Sequence, residues 1–171
     1  MTVKRKVMVL GSVIVPLVLL AVWYLDSPIR YLLTPPDDLY DALCLKPADF
    51  RRTGTSYECE YVNKYSGNHT IGVIVERPPD ITTDLGWKIK AKVEVSDGKA
   101  VLLSTEIDKP YYPFWGGKFS KGGFALVSYN TPDNLPIGKV LKCTITLVKG
   151  DASFEETYGR TSMYVAKASD K

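Results

Sequence analysis

WKIKAKVEVSDGKAVLLS, residues 87–104, alternates apolar and charged side chains with a period of two. Ile89, Ala91, Val93 and Val95 share one parity, and Lys88, Lys90, Lys92 and Glu94 share the other. A helix would scatter these residues around its circumference, whereas a strand puts every apolar side chain on one side and every charge on the other. The stretch therefore reads as a half-buried strand with one wet face. Asp97-Gly98 follows it, a pair suited to a two-residue type I′ hairpin turn, whose central positions need positive φ. The return strand is expected over 99–107.

The same period recurs on both sides. Tyr57, Cys59 and Tyr61 alternate with Glu58 and Glu60. Ile71, Val73 and Val75 alternate with Thr70, Gly72, Ile74 and Glu76. Further strands are expected over 123–129, over 139–149 with Leu141, Cys143, Ile145 and Leu147 facing one way, and over 160–167, with a weaker one at 153–158. The connectors RPPD (77–80), KPYYP (109–113) and NTPDNLP (130–136) are rich in proline, which cannot donate to a ladder and so marks loops and sheet edges. Seven or eight short strands without an amphipathic helix between them indicate an all-β fold, an antiparallel Greek-key/immunoglobulin-like β-sandwich.

Upstream lies VMVLGSVIVPLVLLAVWYL, residues 7–25, with no charged side chain. A helix of that length would cross roughly 28 Å, close to the hydrocarbon thickness of a bilayer. Lys4-Arg5-Lys6 precede it, and Trp23 and Tyr24 lie at its far end, where amphipathic rings favour the interface. The competing reading is a cleaved signal peptide, but the apolar run is long for a signal core and no A-x-A site follows it. The expected layout is a cytoplasmic basic tail (1–6), a single N-terminal transmembrane helix in the lipid bilayer (7–25), a spacer (26–54), the β-sandwich domain (55–168) and a short tail (169–171). The expected localisation is the inner (plasma) membrane, single-pass, with the domain periplasmic. Within the spacer, DDLYDALCL (37–45) suggests two helical turns capped by Asp37 or Asp38 and closed by Pro47.

The chain has 171 residues, 24% of them charged, and a net charge of +3. No basic stripe emerges, which argues against nucleic acid. His69 is the only histidine, so any Ser-His-Asp or Cys-His centre would have to use it, and no flanking motif supports that. One histidine and three scattered cysteines lack the paired spacings that metal sites favour. There is no phosphate-binding glycine motif. The chain is therefore read as a non-enzyme with no catalytic residues, no metal and no cofactor. Asn68-His69-Thr70 is a glycosylation sequon.

Outside the cytoplasm, thiols can oxidise. Cys59 and Cys143 both fall on the apolar parity of their strands, so the expected disulfide joins them across the two sheets. Cys44–Cys59 and three reduced thiols are the alternatives. The candidate binding segment runs from Lys109 to Lys121, where Tyr111, Tyr112, Phe114, Trp115 and Phe119 crowd a stretch broken by prolines and glycines, with Lys118 and Lys121 as a basic rim. Aromatic residues are enriched at binding hot spots, and a proline-stiffened loop holds them ready at low entropic cost. The same rings could instead fold back over an open end of the sandwich.

In layout, from Lys4-Arg5-Lys6 through the 7–25 span to the strand-rich remainder, the chain resembles inner-membrane-anchored periplasmic immunity proteins that neutralise type VI secretion toxins. That resemblance implies a tethered binding domain whose partner is another protein, a secreted toxin; no motif carries functional residues across. A carbohydrate-binding module, with the 111–119 aromatics stacked on sugar rings, and a structural subunit of an envelope complex are the other two readings.

Overall fold

The computed structural model describes residues 15–18, 20, 36–39, 41–78, 86–114 and 122–168. The chain divides into two compact units, Met1–Asp37 and Asp38–Lys171. In the first, the described residues 15–18 and 20 are helical.

The described residues of the second unit form nine strands: β1 (Ala42–Pro47), β2 (Ser56–Val62), β3 (Asn68–Val75), β4 (Lys90–Ser96), β5 (Val101–Ile107), β6 (Tyr112–Phe114), β7 (Gly122–Asn130), β8 (Val140–Lys149) and β9 (Thr161–Lys167). A short helix, α1 (Phe154–Tyr158), joins the last two. Five strands form one sheet in the order β1-β9-β3-β7-β6, and four form a second in the order β2-β8-β4-β5. All the strand pairings are antiparallel.

One core lies between the sheets. Ile71, Val73, Val75, Phe124, Leu126, Met163 and Val165 reach it from the five-stranded sheet. Tyr61, Ala91, Val93, Val95, Leu141, Ile145 and Leu147 meet them from the four-stranded sheet. The period-two reading of 87–104 places its residues correctly: Ile89, Ala91, Val93 and Val95 are fully buried, while Lys88 and Lys90 stay exposed. The wet face of that sheet carries Lys142–Glu58 and Lys92–Glu94 ion pairs and a Ser56–Thr146 hydroxyl hydrogen bond at 2.8 Å. The central strands of the other sheet are buried on both faces. Ile74, Tyr164 and Ala166, of opposite parity to the core residues, form a second small apolar cluster.

Several expectations are corrected. Among the described residues no helix is long and apolar enough to cross a membrane. A crossing needs about 20 consecutive helical residues, and of the 7–25 run only 15–18 and 20 are described. The rest of the run, like the 1–6 and 169–171 tails, lies outside the described residues. The transmembrane helix, the contact with the lipid bilayer and the single-pass inner-membrane localisation are therefore not supported.

The immunoglobulin-like order is also overturned. That fold sets its first two strands side by side; here β1 pairs with the last strand, β9. Among the described strands, the neighbouring pairs consecutive in sequence are β4–β5 and β6–β7, because most connections cross between the sheets.

Local readings change too. The spacer helix is not formed: only 37–39 make a turn, and Ala42–Pro47 is strand β1, since its backbone finds a ladder on β9. The weak strand at 153–158 is instead α1, opened by Asp151, whose Oδ1 accepts from the Ser153 amide (3.0 Å) and hydroxyl (2.8 Å). The β4–β5 connection spans four residues, not two. The Asp97 amide donates to the Ala100 carbonyl at 3.2 Å, while Asp97 Oδ1 accepts from the amides of Lys99 (2.9 Å) and Ala100 (2.8 Å).

Finally, the disulfide joins Cys44 to Cys59, and Cys143 is a buried free thiol. Cys59 and Cys143 do face the core, but from adjacent strands of one sheet, where they stand directly opposite each other. The partner that reaches Cys59 from the other sheet is Cys44 on β1.

Candidate functional site

At one end of the Asp38–Lys171 unit an open cleft of about 610 Å³ lies between the 47–51 segment, the end of β3, α1 and the start of β9. Its floor is aromatic. Phe50 and Phe154 are almost wholly buried, with ring centroids 5.6 Å apart, and Tyr57 stacks on Phe50 at 6.0 Å. Behind them Phe154 packs against Tyr158 (4.7 Å) and edge-on to Trp87 (5.7 Å). Such pairs add about 0.5–1.5 kcal/mol each beyond area burial, so the floor is rigid.

The rim is charged, and its charges are paired. Asp49 accepts from the Arg51 amide (3.0 Å), Nε (2.8 Å) and Nη2 (2.9 Å). This bidentate fork holds the Asp49 carboxyl down at about 2. The same guanidinium reaches Glu155 Oε2 with Nη1 at 2.5 Å. The Tyr57 hydroxyl donates to the Asp49 carbonyl. Across the cleft Glu76 accepts from Arg160 Nη2 (3.1 Å) and the Arg160 amide (3.2 Å), which lowers its carboxyl below the usual range.

The backbone sets this geometry. Gly159, at φ 74°, turns the chain from α1 into β9, and a Cβ there would lie 2.9 Å from both Cβ and Oε2 of Glu76. Arg77 Nη2 donates to the carbonyls of Glu155 (3.0 Å) and Glu156 (2.5 Å), tying α1 to the end of β3. The result is an apolar floor ringed by two arginines and three carboxylates.

Of the sequence-derived binding residues, Tyr111, Tyr112 and Phe114 are described, and none of them lines this cleft. Tyr111 is 70% exposed, and its amide donates to Ala125 at 2.7 Å. The backbones of Tyr112 and Phe114 form β6 at the edge of the five-stranded sheet, opposite Ala125 and Gly123. Trp115, Lys118, Phe119 and Lys121 lie outside the described residues. His69 is buried, with its Nδ1 3.0 Å from the Gly67 carbonyl and its ring 5.6 Å from that of Tyr129. Among the described residues no group of three or more His, Cys, Asp and Glu side chains is placed to hold a metal.

Sequence reasoning missed the cleft because its parts are far apart in the chain. Asp49-Phe50-Arg51-Arg52 sits in the supposed spacer, and Phe154-Glu155 in the supposed weak strand. The available signal was Phe50 between the opposite charges of Asp49 and Arg51; Phe154, after Ser153 and before Glu155-Glu156, carries no such mark.

No family model and no curated protein matches the chain. A crystal structure of a protein from Sulfurospirillum deleyianum is similar at 11% identity and a TM-score of 0.46, covering 74% of this chain and 97% of that one.

Proposed function

We propose that this chain is a non-catalytic binding protein of an oxidising compartment, and that it recognises another protein through the cleft between the 47–51 segment, α1 and β9. The Cys44–Cys59 disulfide supports the compartment, because such bonds persist where thiols are not kept reduced. The observation that carries the binding reading is the rim itself: Asp49 and Glu76 are each pinned by an arginine around a buried aromatic floor. Preorganised charge of alternating sign beside an apolar floor favours specificity for a protein surface. An inhibitor that captures a secreted toxin, as in immunity proteins, is the specific form of this reading.

The test is affinity capture with the full chain and three variants, the captured protein being identified by mass spectrometry. Arg160→Ala and Glu155→Ala remove exposed rim charges, with side chains 84% and 44% exposed, so neither should unfold the domain. Each is expected to weaken capture of the same protein, by up to about tenfold where the partner desolvates the charge it removes. Lys142→Ala, on the wet face of the four-stranded sheet, should leave capture unchanged. Equal capture by all four proteins rejects the cleft, and retention on glycans with no captured protein rejects the partner class.

A further inference from the structure

We infer that Cys59 is the pivot of an internal thiol–disulfide exchange, in which the buried Cys143 thiol displaces Cys44 and the free thiol moves from the core to the edge of the domain. Cys59 stands between two cysteines. Cys44, on edge strand β1, holds its sulfur across the gap between the sheets, with a Cα–Cα separation of 6.4 Å. Cys143 is its directly opposed neighbour on β8 in the same sheet.

Directly opposed residues of an antiparallel pair lie about 4.5–5.5 Å apart at Cα, inside the range of about 4.4–6.8 Å that disulfides span. Both members of the pair point inward: Cys59 is 3% exposed and Cys143 fully buried. Either bond at Cys59 thus fits the same backbone, and the two exclude each other.

The step balances without an outside oxidant. The Cys143 thiolate attacks Sγ of Cys59. A Cys59–Cys143 bond forms, the Cys44–Cys59 bond breaks, and its electron pair leaves on Cys44, which takes up the proton Cys143 gave up. Exchange runs through the thiolate, and burial pushes the Cys143 thiol up to about 12. The hydroxyls of Tyr61 and Tyr129, hydrogen-bonded to each other within electrostatic reach of that sulfur, add no positive charge to favour the thiolate. The closed fold therefore holds the Cys44–Cys59 form, and exchange proceeds when the seam between β1 and β2 opens.

The mechanical consequence follows from the topology. The Cys44–Cys59 bond ties edge strand β1 of one sheet to edge strand β2 of the other. The Cys59–Cys143 bond lies wholly within the four-stranded sheet. Exchange cuts the covalent tie between the sheets at that edge, leaving β1 held by its ladder to β9, and turns an inaccessible thiol into a half-buried one on an edge strand.

The test uses the full-length protein without added thiol at pH 8.5, in urea stepped up to just below the unfolding transition. Samples are quenched with acid, labelled with N-ethylmaleimide and mapped as peptides without reduction. Loss of the Cys44–Cys59 linkage should be matched, mole for mole, by a gain of Cys59–Cys143 and of label on Cys44. Cys143→Ser should abolish both gains. Cys44→Ser, oxidised with glutathione disulfide, should form Cys59–Cys143 while keeping its β-sheet circular dichroism. Label accumulating on Cys143 while Cys44–Cys59 remains the sole linkage would overturn the inference. So would a folded Cys44→Ser protein whose Cys59 and Cys143 both stay reduced; if that variant does not fold, the wild-type map alone decides.

Discussion

Phe154→Ala probes the floor of the cleft and the packing of α1 together. Phe154 is 2% exposed and its ring meets those of Phe50 (5.6 Å), Trp87 (5.7 Å), Phe124 (6.2 Å) and Tyr158 (4.7 Å). Truncating a buried phenylalanine costs about 3–5 kcal/mol, from lost transfer free energy and the cavity left behind. Alanine recovers well under 1 kcal/mol through its better helix propensity in this five-residue helix. The net expectation is a loss of about 3–4 kcal/mol. For a domain of this size each kcal/mol moves Tm by about 3–4 °C, so the melting temperature should fall by about 10–15 °C. Urea unfolding followed by circular dichroism is the assay, with the midpoint falling and the slope unchanged. A loss below about 1 kcal/mol would refute the reasoning, because it would mean that Phe154 does not join the two sheets through the aromatic cluster.

Three further outcomes are expected. Asp49 has its carboxyl lowered from 3.8 to about 2 by Arg51, so it contributes stability that is complete above about pH 4 and is lost as pH falls through 2; acid unfolding of Asp49→Asn should lack that loss, and an identical acid limb in both proteins would reject the pairing. Reduction of Cys44–Cys59, which closes a loop with a sequence separation of 15, should lower unfolding free energy by about 2–3 kcal/mol in paired urea titrations with and without reductant. Gly123→Ala should prevent the native fold, since a Cβ there would lie 2.0 Å from the Val73 carbonyl oxygen, whereas Gly138→Ala meets open space and should cost only the strain of its φ of 87°; thermal melts of the two variants compare them directly.

What was readable in the sequence and what was not divide along physical lines. Residues 89–95 and 141–147 alternate over several turns of the pleat, and burial of one face follows from that pattern alone. The Ala42–Pro47 strand was not readable in this way. Its burial fades from half-buried to exposed along its length, it lacks a clean period, and it is a strand because β9 offers a free edge. The disulfide failed for a related reason. Parity placed Cys59 and Cys143 on the core side, but parity cannot say which strands lie side by side, and β2 and β8 proved to be neighbours. The cleft depends on long-range meeting of the 49–51 run with Glu76, Glu155 and Arg160, which no local pattern records. Tyr111 shows the limit of composition as a guide: an exposed ring is consistent with a binding surface, but the charged rim lies at residues that no aromatic count selects.

The most direct measurement of the central claim is hydrogen–deuterium exchange on the full chain, free and bound to the protein it captures. The account predicts slowed exchange at the backbone amides of 48–51, 74–76 and 154–162, the segments that line the cleft, with the outer face of β8 unchanged. Protection confined to 111–121, with the cleft amides exchanging as in the free protein, would contradict it.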